Sequence, residues 1–452
     1  MMWTLAEMAT ALGSPVPPEL AEQRVSAIVT DTRNIVPGCL FIALKGPRFD
    51  GHAFVEQARA QGAAAALVER HVNSAMPQLV CSDTRLGLGL LAKAWRRRFS
   101  LPLVAVTGNS GKTTVKEMTA ALLAPLGKVL ATTGNLNNDI GAPLTLLRLS
   151  EEHQAGVIEL GANHLGEIAW TSQLTAPQVT ILTNVTGAHV GEFGGMGQIA
   201  QAKSEILSGL DSRGTAIINR DDHYYAFWSA CAAPRRCVSY GLHEDADVHA
   251  RALSCDSQGR YAFTLIAHGQ PLGDVQLPLI GRHNVSNALA ASAAALALGV
   301  SPQDVVTGLS GLTSLSGRLS VVAGLRHTTL LDDTYNANPG AVKAALDALA
   351  SFPAPRWCAL GAMGELGDES QALHAEIGRY AASLGIDALL TYGEAARAAS
   401  DAFGRGQHFD DHETLVRHVI NTLPPHTTLL VKGSRSAGME TVIAALRADD
   451  TR

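Results

Sequence analysis

The run Thr107-Gly108-Asn109-Ser110-Gly111-Lys112-Thr113-Thr114 limits the possible folds of this chain more than any other segment. A short apolar stretch, Leu103 to Val106, precedes it. Apolar residues at Val115, Met118, Leu122 and Leu123 follow, a spacing that places them on one helical face. Buried strand, glycine turn and amphipathic helix, in that order, build a phosphate loop. Glycines let backbone N–H groups turn inward around phosphate oxygens, and the helix N-terminus adds partial positive charge. Lys112 can bridge β- and γ-phosphates, and the Thr113 hydroxyl can hold Mg²⁺. The general motif wants another glycine at position 106, where this chain has Val106, so the loop is a shorter variant, G-x-x-G-K-T. By itself it points to ATP or GTP, against the plainer reading of a glycine turn with a surface lysine.

The rest of the chain fits a mostly parallel α/β protein. Its 452 residues, at ~100–200 per domain, predict two to four domains, and three is the natural division. Residues 1–99 read as a small α/β unit, with apolar runs at Ala27 to Val29, Cys39 to Leu44, Ala63 to Val68 and Gln78 to Val80. A helical stretch, Ala53 to Gln61, lies between them, and Ser100-Leu101-Pro102 breaks the pattern. Residues 100–312 carry the phosphate loop and further strands at Gly156 to Leu160, Val179 to Val185 and Thr215 to Asn219. Alternating runs around Tyr261 to Ile266 predict antiparallel strands before a long helix, Asn284 to Leu298. Residues 313–452 read as a second doubly wound, Rossmann-like unit, with strands at Thr329 to Leu331, Trp357 to Leu360, Ala388 to Tyr392 and Thr428 to Val431.

Composition excludes several classes. A net charge of −6 gives no basic excess with which to coat nucleic acid. The longest basic run, Arg96-Arg97-Arg98, reads as a solvated helix end. No uninterrupted apolar run approaches the roughly 18 residues of a membrane span, and no signal peptide is apparent. The six cysteines form no C-x-x-C pair, which fits reduced thiols in the cytoplasm.

The short loop T-G-x-x-G-K-T-T resembles that of the Mur ligase family, the ATP-dependent amide ligases of peptidoglycan synthesis. Other segments agree, in order. Asp31-Thr32-Arg33 and Phe41 to His52 resemble the family's uridine-nucleotide domain. Gly134-Asn135-Leu136-Asn137-Asn138-Asp139 through Thr145 is similar to the branch that adds D-alanyl-D-alanine. Gly281-Arg282-His283-Asn284 followed by Asn287-Ala288-Leu289-Ala290, Asp332-Asp333-Thr334-Tyr335-Asn336-Ala337-Asn338-Pro339 and Lys432-Gly433-Ser434-Arg435 match the family further on. The resemblance implies a UDP-sugar-binding N-terminal domain, a central ATPase domain and a mobile C-terminal ligase domain, acting as a monomer. It implies that UDP-MurNAc-tripeptide, D-Ala-D-Ala and ATP give UDP-MurNAc-pentapeptide, ADP and phosphate through an acyl phosphate.

It also implies roles. ATP would be held by Gly108, Asn109, Ser110, Gly111, Lys112, Thr113 and Thr114, with Asn284, Arg318 and Asp333. Glu159 would be a Mg²⁺ ligand, His189 would help bind a second Mg²⁺, and Lys203 would be a carbamylated lysine. Asp31, Lys45, Arg48 and His52 would meet the uridine diphosphate, and Asn135, Asn137 and Asn138 the peptide arm. Taken alone, these residues allow plainer readings. Glu159 could be a strand-end carboxylate, His189 structural, Lys203 an exposed helical lysine and Asn284 a helix cap. Arg318 and Asp333 could form interdomain salt bridges, the UDP candidates could be surface charge, and asparagines are common in turns. One departure stands out: relatives often have Gly-Asp-Met where this chain has Gly361-Ala362-Met363. The competing functions are a sister ligase of the family and a nucleotide-gated regulatory protein.

Overall fold

The computed structural model describes residues 3–186, 193–313 and 316–448. Its largest sheet has nine strands. In spatial order they are Lys128–Ala131, His153–Glu159, Leu103–Thr107, Val179–Leu182, Thr215–Asn219, Arg236–Gly241, Val248–Cys255, Arg260–Ala267 and Gln270–Ile280. The first seven run parallel and the last two are antiparallel additions. The strand Leu103–Thr107 is buried along its whole length, which explains its unbroken apolar sequence. Val104 and Val106 face the helices Lys112–Leu123 and Arg282–Ala297, while Leu103 and Ala105 face the helix Thr84–Arg96. Val106 pairs with Glu159 on one side and Ile181 on the other, so the position where longer loops carry glycine is sheet here.

Two smaller sheets flank this one. Ile28–Val29, Leu40–Ile42, Ala65–Val68 and Gln78–Val80 form a parallel four-stranded sheet. The third sheet has the order Ser320–Ala323, Thr329–Asp333, Thr428–Lys432, Arg356–Gly361, Ala388–Tyr392, Gln407–Phe409, with only the first pair antiparallel. The helix Thr84–Arg96 joins the first two units. Its Leu88 and Leu91 share one apolar cluster with Leu40 and Leu67 on one side and Leu103 and Ala105 on the other.

Arg96 departs from the expected solvated helix end. It is buried, and its guanidinium donates to the carbonyls of Thr175 (3.0 Å), Phe99 (2.6 Å) and Leu101 (3.2 Å). Arg97 and Arg98 are exposed, as expected. Two element ends also differ. The strand expected to reach Val185 stops at Leu182, because the next two residues turn onto the phosphate loop. The stretch expected as a helix from Ala53 opens as a 3₁₀ turn, Gly51–Phe54, capped by Asp50, before the helix Val55–Ala60. No helix among the described residues is long and apolar enough to cross a membrane. All six cysteines are free thiols.

Candidate active site

The phosphate loop lies at the C-terminal ends of the parallel strands, where open α/β sheets bind ligands. Two glycines are sterically required. Gly108 has φ +145°, and a Cβ there would stand 1.9 Å from Thr183 Oγ1. Gly111 has φ +80°, and a Cβ there would meet Asn287 Oδ1 at 2.5 Å. Thr183 and Asn184 clamp the loop from the neighbouring strand end. Thr183 Oγ1 donates to the Ser110 carbonyl (2.7 Å), and Asn184 Oδ1 accepts the Ser110 N–H (2.9 Å). The Asn109 N–H donates to the Asn184 carbonyl. Sequence reasoning missed this pair; its signal was two polar residues just after a parallel strand.

Lys112 curls back, its Nζ donating to the carbonyls of Gly108 (2.8 Å) and Asn109 (3.0 Å). Burial pushes its pKa down, while the Glu159 carboxylate pulls it up. Thr113 and Thr114 open the helix, and Thr114 is buried. The Thr113 hydroxyl accepts a hydrogen bond from Arg318 Nη2 (3.0 Å), and the Arg318 guanidinium sits 4.1 Å from the centre of the Tyr335 ring. Asn338 caps the helix Pro339–Ala350 and also donates to Ser110 Oγ (3.1 Å). The third sheet's loops therefore touch the phosphate loop directly. Among the described residues Asp333 pairs with Lys432 of its own sheet, at 2.5 Å, and with no cation of another domain. Asn284 donates to the Ile280 carbonyl and accepts from Asn287, so Asn287 is the side chain set against Gly111.

Glu159 ends its strand, buried, beside this loop. Its N–H donates to Thr132 Oγ1 (3.0 Å), and its Oε1 accepts from Asn137 Nδ2 (2.8 Å). Its other oxygen, Oε2, is buried with no hydrogen-bond partner among the described residues. An unpaired buried carboxylate oxygen is costly unless a cation sits against it, so this atom fits a metal. Among the described residues no group of three or more His, Cys, Asp or Glu could hold a metal ion. His189 lies outside the described residues. Lys203 is not exposed: it is buried, with its Nζ 5.6 Å from the centre of the Phe193 ring. Burial, and then the charge of Lys112, push its amine down to about 7.

The remaining candidates divide. Asn135 is exposed, and Asn137 reaches Glu159. Asn138 Oδ1 accepts the N–H groups of Ile140 and Gly141 just ahead of the helix Gly141–Leu146. Lys45 and Arg48 are exposed on the hairpin formed by Lys45–Gly46 and Phe49–Asp50. Asp31 is bound by Arg33, whose hydrogen bonds hold its carboxyl at about 2. His52 is buried, with Nδ1 at Asp50 (2.6 Å) and Nε2 accepting the Glu69 N–H (2.8 Å). Both ring nitrogens are engaged, which ties this histidine to the hairpin and to Glu69. At Gly361-Ala362-Met363 the Ala362 carbonyl accepts from Ser434, and the Glu365 carboxylate supplies negative charge near Lys112.

Three family descriptions match consecutive parts of the chain: "Mur ligase family, catalytic domain" over residues 24–121, "Mur ligase middle domain" over 106–295, and "Mur ligase, glutamate ligase domain" over 317–435. The chain is 45% identical to the UDP-N-acetylmuramoyl-tripeptide--D-alanyl-D-alanine ligase of Escherichia coli (strain K12), over 95% of this chain and 96% of the relative. A crystal structure of MurF from Acinetobacter baumannii superposes with TM-score 0.92 at 39% identity, covering 98% of both chains. MurF ligase from Thermotoga maritima in complex with ADP superposes with TM-score 0.85 at 28% identity, covering 93% of this chain and 97% of that one.

Proposed function

Because this chain belongs to the Mur ligase family, we propose that the crevice over Gly108–Thr114 forms an amide bond at the expense of ATP. The chain is an ATP-dependent ligase that joins D-alanyl-D-alanine to UDP-MurNAc-tripeptide. The likeness to curated ligases of that reaction over nearly the whole chain carries this reading.

The chemistry follows from the charges. A carboxylate is a poor acylating agent, so one of its oxygens first attacks the γ-phosphorus of ATP and the bond to the β-phosphate oxygen breaks, releasing ADP. The amine of D-Ala-D-Ala then attacks the acyl carbon, inorganic phosphate leaves, and the amine's proton passes to solvent. Transfer of this kind needs charge neutralisation and positioning more than an acid–base pair. Lys112 swings from the loop carbonyls to the phosphates, and Arg318 adds a second cation from the third sheet's side. Glu159 Oε2 and Thr113 Oγ1 would hold Mg²⁺, with His189 and a carbamylated Lys203 as further donors; the metal neutralises phosphate oxygens when bound. A lysine amine held near pH 7 is partly neutral there, which is the form that reacts with CO₂.

We assign the UDP-sugar to residues 1–99, ATP to 100–312 and the closing ligase domain to 313–452. Lys45 and Arg48 meet the diphosphate, Asp31 and His52 shape that surface, and Asn135 and Asn137 face the peptide arm. The enzyme works in the cytoplasm as a monomer, with no nucleic acid or membrane insertion. The test is phosphate release from ATP with the two co-substrates supplied separately and together. Release only with both, plus a pentapeptide product by mass, is expected. Release that ignores D-Ala-D-Ala refutes the assignment and favours a sister ligase or a regulatory nucleotidase.

A further inference from the structure

One buried cation near the phosphate loop has no part in the mechanism above. Lys116 follows Lys112 by one helical turn and is 1% exposed. It cannot reach a ligand through solvent. Its Nζ donates to the Thr132 carbonyl (2.7 Å) and pairs with Glu117 Oε1 (2.5 Å). Thr132 lies just past Lys128–Ala131, the edge strand of the nine-stranded sheet. The Thr132 N–H donates to the Val157 carbonyl, and its Oγ1 accepts the Glu159 N–H at 3.0 Å. An edge strand is held on one side only, and this one has a register shift between Lys128 and Val129. A charged donor on the Thr132 carbonyl is a polar tie from the phosphate-loop helix to this edge, beside the packing of Val129 on the same helix's apolar face.

We infer that Lys116 is a positioning residue: through Thr132 it fixes the backbone of Glu159, so that the phosphate loop and the carboxylate facing the metal keep one geometry. This rests on the reading of Glu159 as a metal ligand. Outer partners that orient a ligand typically change metal affinity ~10–100-fold when removed. A buried lysine that merely satisfied a carbonyl would affect stability alone.

The experiment uses the full-length enzyme with ADP and titrates Mn²⁺, in place of Mg²⁺, by electron paramagnetic resonance, with melting temperature measured alongside. Lys116→Met keeps the length of the side chain and removes its donor; Thr132→Val removes the hydroxyl and leaves Lys116 intact; Thr132→Ser keeps it. Both Lys116→Met and Thr132→Val are expected to weaken Mn²⁺ binding by about tenfold or more, and Thr132→Ser to stay near the parent. Unchanged Mn²⁺ affinity in Lys116→Met, with only a lower melting temperature, overturns the inference. Should Lys116→Met fail to fold, Thr132→Val decides: parental affinity there overturns it equally. Glu159→Gln is the control. If it too binds Mn²⁺ like the parent, the reading of Glu159 has failed, not the tie that positions it.

Discussion

The buried pair Lys432–Asp333 invites a quantitative test. Lys432 donates to Asp333 Oδ2 at 2.5 Å and to the Asn336 carbonyl at 2.8 Å, with the two side chains 2% and 13% exposed. Lys432→Met removes the cation with little change in volume and strands a buried carboxylate. Breaking a buried pair in this way costs about 3–5 kcal/mol, much of it from the charge left behind. Domains of this size melt about 3–4 °C lower per kcal/mol, so the C-terminal unit should lose roughly 10–20 °C. Chains of several domains do not unfold in one step, so the readout is hydrogen exchange in the strands Thr329–Asp333 and Thr428–Lys432 together with calorimetry. Replacing both charges, Asp333→Asn with Lys432→Met, should recover most of the loss, since no unpaired ion remains. Protection in those strands unchanged by Lys432→Met, or a double variant weaker than the single one, would refute the argument from buried charge.

Other outcomes follow from the same structure. Arg96→Met leaves three carbonyls without their charged donor and should cost about 2–3 kcal/mol, read as a lower urea midpoint, with activity per folded molecule retained. Gly108→Ala forces a Cβ toward Thr183 Oγ1 from a left-handed backbone; ATP-dependent phosphate release should fall to background while circular dichroism stays parental. The Lys203 amine is lowered from 10.5 to about 7, so between those values the unfolded chain binds a proton that the folded one lacks. Stability of the unmodified protein should therefore rise as pH climbs through that window, and Lys203→Met should flatten that rise. Labelled bicarbonate should give a carbamate ¹³C resonance that Lys203→Met abolishes.

What the sequence disclosed depended on whether a contact was local. Strands such as Thr215–Asn219 and Ala388–Tyr392 fall where their apolar runs placed them, because burial on both faces writes itself into consecutive residues. The phosphate loop was equally plain, since glycine, lysine and threonine at fixed spacing serve one backbone turn. Long-range polar partners were not. Nothing in Arg96-Arg97-Arg98 tells which of three arginines is buried, because one of the carbonyls that take its donors, that of Thr175, lies 79 residues away. Nor does the sequence show that Asn138 Oδ1 meets the backbone of Ile140 and Gly141, or that the His52 ring is held between Asp50 and Glu69. Nothing in the sequence marks Lys116 as buried, because its acceptor, the Thr132 carbonyl, lies past the edge strand.

The contacts between the third sheet's loops and the phosphate loop span great distances along the chain: 205 residues separate Arg318 from Thr113, and 228 separate Asn338 from Ser110. Synthesis from the N-terminus completes the phosphate loop and its sheet well before these partners exist. A nascent chain at that stage can fold its nucleotide cradle while lacking the arginine and asparagine that close it. The contacts that close the phosphate loop are therefore added only after Arg318 and Asn338 have been made, behind the last strand of the large sheet, Gln270–Ile280.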